Sequence, residues 1–181
     1  MKVKDEYNLA WLDLEMTGLD PEKDLILEIA TIVTDRELQV IAEGPLMAIH
    51  QNEAALSAMD SWCKDTHGKS GLIDRVRTSA INELEAQART IEFIARYCPQ
   101  KKVPLCGNTI GQDRRFLSRY MPLLNDFFHY RSVDVSTIKE LVSRWYPTQK
   151  YNHAKSKQHQ ALDDIRESIA ELDYYRKIVF K

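Results

Sequence analysis

Between Leu9 and Met16 the chain reads LAWLDLEM, with six apolar residues of eight in a run too short for a typical helix, which predicts a buried β-strand. After turn chemistry in TGLDPEKD, punctuated by Gly18 and Pro21, the β-branched run ILEIATIVTD predicts a second strand. LQVIAEGPLMAIH predicts a third, kinked at Gly44 and Pro45, and the short links make these three an antiparallel meander. From Asn52 to Arg77 the pattern is mixed, with short helical pieces broken at Gly68 and Gly71. The spacing then becomes helical: Leu84, Ala88, Ile91 and Ile94 or Ala95 recur between about Ile81 and Tyr97, with Ser79 as the cap and Pro99 as the stop. VPLCGN predicts a fourth strand, followed by a helix near Ile110 to Tyr120. SVDV predicts a fifth strand, and helices follow from Thr137 to Trp145 and from about Gln160 to Ile178. The polar stretch Tyr146 to Gln158 has no apolar period and reads as a loop.

Strands separated by helices imply parallel crossovers, so the expected architecture is α/β. It is a mixed five-stranded sheet, with the antiparallel meander on one side, two parallel strands on the other, and helices on the faces. In such sheets the functional crevice lies at the carboxyl ends of the strands, near the point where the connection direction switches. Asp13 and Glu15 sit at that end of the first strand. With 181 residues and 44% apolar content, one domain over residues 1–181 is expected. A net charge of −2 supplies no global field to hold a long polyanion, so any nucleic-acid partner must be gripped locally. Three cysteines without a C-x-x-C pair indicate neither a disulfide framework nor a zinc site. No signal-peptide core and no membrane-length apolar run is present, which leads to the expectation of a cytoplasmic protein.

Asp13 and Glu15 are two apart on a strand and share one face, about 7 Å from each other. For an isolated D-x-E the commoner reading is a solvated edge strand, but the apolar flanks argue for burial, where two negative charges need a positive partner. Further acids match them. In GNTIGQDRRFLSRY, Asp113 falls on the stripe of Phe116, Leu117 and Tyr120, although a helix N-terminus alone also explains an Asp there. Arg114 and Arg115 turn away from that stripe, as solvated charges by default or as phosphate contacts. In HQALDDIRESIAELDYY the stripe is Leu162, Ile165, Ile169 and Leu172; Asp164 lies at its margin, about 110° from its centre, and Asp163 about 150° away. Asp164 is therefore the better ligand and Asp163 a solvated or capping residue. His159 stands in an H-x-x-x-x-D relation to Asp164, a weak signal alone. Asp13, Glu15, Asp113 and Asp164 offer only oxygen, which suits two Mg²⁺ or Mn²⁺ ions clamping a phosphoryl displacement. Phosphodiester hydrolysis follows, with His159 as general base toward the attacking water.

D-L-E at Asp13 to Glu15, G-N-x-x-x-Q-D ending at Asp113, and H-x-x-x-x-D from His159 to Asp164 together resemble the three motifs of the DEDD exonuclease superfamily, in its histidine-bearing branch. Over longer runs, WLDLEMTGLDP, GNTIGQDRRFL, HYRSVDVSTIKEL and HQALDDIRESIAELDYYR resemble the oligoribonucleases and span nearly the whole chain. The resemblance implies a ribonuclease-H-like fold and a homodimer that removes 5′-mononucleotides from the 3′ end of very short single-stranded RNAs, down to dinucleotides. By position it makes Asp13, Glu15 and Asp164 metal ligands, Asp113 a metal-associated acid and His159 the base. It further implies that Leu19 wedges between bases, that Trp62 and His67 hold substrate, and that Tyr130 and Arg131 act from the partner subunit. Ser136 would lie in a pocket for the 5′ phosphate; by their residue types alone, Trp62 is equally a packing aromatic and Ser136 a helix N-cap. Two other readings stay open. A proofreading or tRNA-trimming exonuclease would share the catalytic residues but needs more basic surface for longer DNA or RNA, and a non-catalytic RNA-binding module has no need of four acids and a histidine.

Overall fold

β1 (Leu9–Met16) is the strand around which the sheet turns. In the computed structural model, which describes residues 4–152 and 161–180, β1 pairs antiparallel with β2 (Ile26–Thr34) on one side and parallel with β5 (Leu105–Gly107) on the other. Beyond β2 lie β3 (Val40–Glu43) and the two-residue β4 (Met47–Ala48); beyond β5 lies the parallel β6 (Ser132–Asp134). The order is β3-β2-β1-β5-β6, with β4 also on β2, which gives six strands where five were expected. The extra strand comes from the Gly44 and Pro45 kink. A Cβ on Gly44 would come within 2.2 Å of Thr31 Oγ1, and the bend there splits the expected third strand in two.

Three short helices, α1 (Glu53–Ala58), α2 (Ser61–Lys69) and α3 (Leu72–Thr78), fill the mixed region. They enclose Leu27, Leu56, Met59 and Val76 in a small core of their own. α4 (Glu83–Ala95) is capped by Asn82, whose side chain accepts from Glu85 N at 3.0 Å, and not by Ser79. Ser79, three residues before that cap, donates to the Ala48 carbonyl at 2.6 Å and accepts from the Ile81 N–H at 3.1 Å, outside the helix. α5 (Gly111–Tyr120) and the unexpected α6 (Pro122–Phe127) pack with α4 over Ala10, Leu12, Leu14 and Ile29 on one sheet face. α7 (Val135–Trp145) and α8 (Ala161–Ile178) cover Trp11, Ala30, Ile32 and Cys106 on the other. The Tyr146 to Gln158 stretch contains a 3₁₀ turn at Pro147–Gln149. Among the described residues no helix is long and apolar enough to cross a membrane. The three cysteines are free and buried.

Candidate active site

Alternation along β1 does two jobs at once. Ala10, Leu12 and Leu14 enter the α4–α5 core, while Trp11, Asp13 and Glu15 line the α8 face. Trp11 anchors that face, donating from Nε1 to Thr34 Oγ1 at 3.0 Å. Two and four residues further on, the same face carries carboxylates. Asp164 in the first turn of α8 meets them: carboxylate oxygens of Asp13, Glu15 and Asp164 all lie within 4.8 Å of one another. Asp163, one position earlier, points elsewhere and accepts from Arg166 Nη1 at 2.7 Å.

Asp113 approaches from α5 and is buried. Its Oδ1 accepts the Leu14 backbone N–H at 2.9 Å, so the acid is tied to the peptide between the two β1 carboxylates. Negative charge is concentrated here. Burial, then the Asp113, Glu15 and Asp164 charges, push the Asp13 carboxyl well above the usual carboxylate range. Burial, followed by Asp164, Glu28 and Asp113, pushes Glu15 up to about 8, against a smaller pull downward from Arg75. Burial also raises Asp113, opposed by the Leu14 hydrogen bond. Half-buried carboxylates that repel one another are stabilised by a multivalent cation, and an all-oxygen donor set is of the kind that holds hard divalent ions. The three converging acids fit such an ion.

The other sequence-selected residues are distributed around this cluster. His67 on α2 is 2% exposed, with Nε2 at 3.0 Å from the Met16 carbonyl and Nδ1 at 3.9 Å from Glu15 Oε2. Trp62, at the start of α2, is 64% exposed and belongs to no core cluster, contrary to its packing alternative. Leu19 is 70% exposed on the loop that follows β1. That loop is closed on itself: Asp24 accepts from the Thr17 hydroxyl at 3.1 Å and from Asp20 N at 2.9 Å, and Tyr120 Oη lies 2.8 Å from the Asp24 carbonyl. Gln112, next to Asp113, donates from its side-chain amide to the Leu19 carbonyl. Ser136 does not cap α7. Asp134 does, accepting from the Ser136 N–H at 2.9 Å and the Ser136 hydroxyl at 2.7 Å, and it also accepts from Thr109 N.

Tyr130 is 75% exposed, with the Arg131 guanidinium 5.4 Å from its ring centre. The register sets Ser132 level with Leu105 and Ala10, so Tyr130 lies before the strand end opposite to the one that carries Glu15. Arg114, expected as a surface charge, holds this segment. Its guanidinium donates to the His129 carbonyl at 2.8 Å, the Tyr130 carbonyl at 3.2 Å and the Ser132 hydroxyl at 3.0 Å. His159 lies outside the described residues. Glu28, Arg75 and Asp134 escaped the sequence reading. Of these, Glu28 carried a signal, as the one acid within the apolar run ILEIATIVT.

Comparison with known proteins agrees with this architecture. Residues 10–172 match the RNase_T exonuclease family. The oligoribonuclease of Shewanella oneidensis is 59% identical over 177 residues, covering 98% of each chain. Exonuclease I from Methylocaldum szegediense superposes with a TM-score of 0.73 over 96% of this chain at 20% identity, and this chain spans 41% of that longer protein. Escherichia coli exonuclease I in complex with a dT13 oligonucleotide gives 0.69 over 93% of this chain and 41% of its own, at 18% identity. These two likenesses are of fold, and the fold is the ribonuclease-H-like one expected. With its motifs, its full-length match and its converging acids, the chain belongs to the oligoribonucleases, within the RNase_T exonuclease family.

Proposed function

We propose that this protein is a 3′-to-5′ exoribonuclease of the histidine-bearing DEDD branch, which hydrolyses very short RNAs, down to dinucleotides, to 5′-mononucleotides. The observation that carries the chemistry is the convergence of Asp13, Glu15 and Asp164 within 4.8 Å, with Asp113 bound to the peptide between the first two. The substrate class is supported by the full-length oligoribonuclease relatives. Asp13, Glu15 and Asp164, with Asp113 beside them, would hold two Mg²⁺ or Mn²⁺ ions. Such ions would supply positive charge at the scissile phosphate and the attacking water. The chain's own groups do the rest. His159 takes the proton from the water, as a group whose ordinary pKa lies near 6.5. Asp113 fixes the Leu14 peptide and with it the spacing of Asp13 and Glu15.

In this reading Leu19 and Trp62 contact the terminal nucleotides, the buried His67 helps to hold them from behind Glu15 and Met16, and Ser136 contributes to a pocket for the 5′ phosphate. The enzyme is a homodimer in which Tyr130 and Arg131 of the partner subunit complete the cleft. The position of Tyr130 before the distal end of β6 supports action across subunits, since within its own chain it is separated from Glu15 by the length of the sheet. The continuous sheet supports a single domain, and the reading places that domain in the cytoplasm.

The test is single-turnover cleavage of 5′-labelled RNAs of increasing length, with and without the 5′ phosphate. With a net charge of −2, added phosphates contribute little counterion-release affinity. Cleavage should therefore be fastest on two-residue RNA and fall as the chain lengthens, and loss of the 5′ phosphate should weaken binding markedly. Equal efficiency on a twenty-nucleotide RNA (roughly ten times longer) would favour a general exonuclease instead.

A further inference from the structure

The sheet face that carries Asp13 and Glu15 holds a further acid beside them. Glu28 stands directly opposite Glu15 in the β1–β2 pairing, and directly opposed residues of an antiparallel pair project to the same side. Its side chain is 1% exposed. Oε1 accepts from Arg75 Nη2 at 2.7 Å, whereas Oε2 is buried and makes no hydrogen bond among the described residues. Arg75 reaches Glu28 from α3 and is itself braced by a second bond, Nη1 to the Ser70 carbonyl at 3.0 Å. The pair is close enough for both charges to be felt in the cluster: Glu28 raises Asp13 and Glu15, and Arg75 lowers Glu15.

A buried carboxylate set beside other buried carboxylates costs free energy, and a half-satisfied one costs more. An ion pair needed only to pin α3 to β2 gains nothing from that location. Its neighbours suggest what it gains. We propose that Glu28 and Arg75 form a charge-setting pair for the acidic site: Glu28 adds a fifth carboxylate against Glu15, and Arg75 offsets it. The four acids Asp13, Glu15, Asp113 and Asp164 then present a formal charge that two divalent cations neutralise. Neither member belongs to the converging acid set, so both are positioning residues. Together they set the net charge that arriving cations meet. This rests on the metal-dependent reading above.

The pair predicts changes of opposite sign, which a mere structural brace does not. Glu28→Gln preserves shape and an acceptor for Arg75 but leaves the guanidinium uncompensated, so divalent ions should bind about tenfold or more weakly. Arg75→Gln leaves the Glu28 charge to the ions, and affinity at pH 8 should rise by a similar factor. The double variant restores the balance and should return to within about threefold of the parent. Arg75→Lys keeps the charge and serves as the control if Arg75→Gln folds poorly. The measurement is calorimetric titration with Mn²⁺ alone, without RNA, with melting in chelator as the check on folding. Two weakened single variants whose losses add in the double would overturn the proposal, as would four unchanged isotherms. A parent protein that binds no divalent ion would instead overturn the functional reading on which it rests.

Discussion

Stripped of cations and held at pH 8, this protein should be destabilised by its own active site, and one isosteric change should relieve it. Glu15 has an ordinary pKa of 4.5 and is pushed up to about 8 in the fold, first by burial and then by the charges of Asp164, Glu28 and Asp113. Between those two values the unfolded chain has released the proton and the folded chain still holds it. The folded state therefore binds more protons, and stability falls as pH rises through the window. The loss is absent below about pH 4.5 and complete above about pH 8. Each pH step of one costs about 1.4 kcal/mol, so Glu15 alone accounts for at most about 5 kcal/mol. Its side chain is 17% exposed, and water entering the open cleft relaxes part of the penalty, which leaves about 2 to 4 kcal/mol. Glu15→Gln keeps the volume and removes the charge. In chelator at pH 8 the variant should melt about 5 to 15 °C above the parent, and the two should converge near pH 4.5. Subtracting one protein from the other cancels titrations that do not depend on Glu15, while that of Asp13, which the Glu15 charge raises, stays in the difference. Scanning calorimetry in chelator at pH 4.5, 6.5 and 8 makes the measurement, and added Mg²⁺ at pH 8 should raise the parent far more than the variant. Parallel pH responses of the two proteins would refute the reasoning.

Asp164→Asn should lower turnover by orders of magnitude, whereas Asp163→Asn should leave it near the parent value, because Asp163 spends its carboxylate on Arg166; an inactive Asp163→Asn beside an active Asp164→Asn reverses the assignment. His159→Ala should cost about 10² to 10⁴ in single-turnover rate with the Mn²⁺ isotherm unchanged, and a lost isotherm would make His159 a ligand. Mixing Asp13→Ala with Tyr130→Ala protein should recover part of the activity in heterodimers, since one cleft then has intact acids and an intact partner segment. A fully active monomer in sedimentation rules that out.

The two central strands were legible because burial on both faces leaves apolar runs, and β2 is buried at every position. Asp13 and Glu15 stood out against such a run. Glu28 interrupts its run in the same way, yet β-branched neighbours made the segment read as plain core. The helices of residues 53–78 were not legible by period, for each has six to nine residues; the first two start at the Asn52 and Asp60 side chains and the third at Gly71, which has no side-chain cap. Ser79 and Asn82 both offer an accepting side-chain oxygen; the choice is tertiary, since Ser79 is held between the Ala48 carbonyl and the Ile81 N–H before the helix begins, and Asn82 meets the Glu85 N–H. The same applies to Arg114, whose role depends on carbonyls fifteen to seventeen residues away.

The pairing of β1 with β2 runs unbroken from Leu9 to Glu15 and shifts register between Glu15 and Met16. That discontinuity divides the chain into two regimes of tolerance to length. Upstream of it, losing or gaining one residue would rotate both carboxylates into the space of Leu12 and Leu14 and send apolar side chains into the cleft. Downstream, the alternation no longer has to be kept, and the turn from Thr17 to Leu25 closes through its own Thr17 and Asp24 bonds. Changes of length at its tip, around Glu22 and Lys23, leave the acids where they are. Evolution can thus lengthen or reshape this loop without moving the acids, and the boundary between the two lies a single peptide bond beyond Glu15.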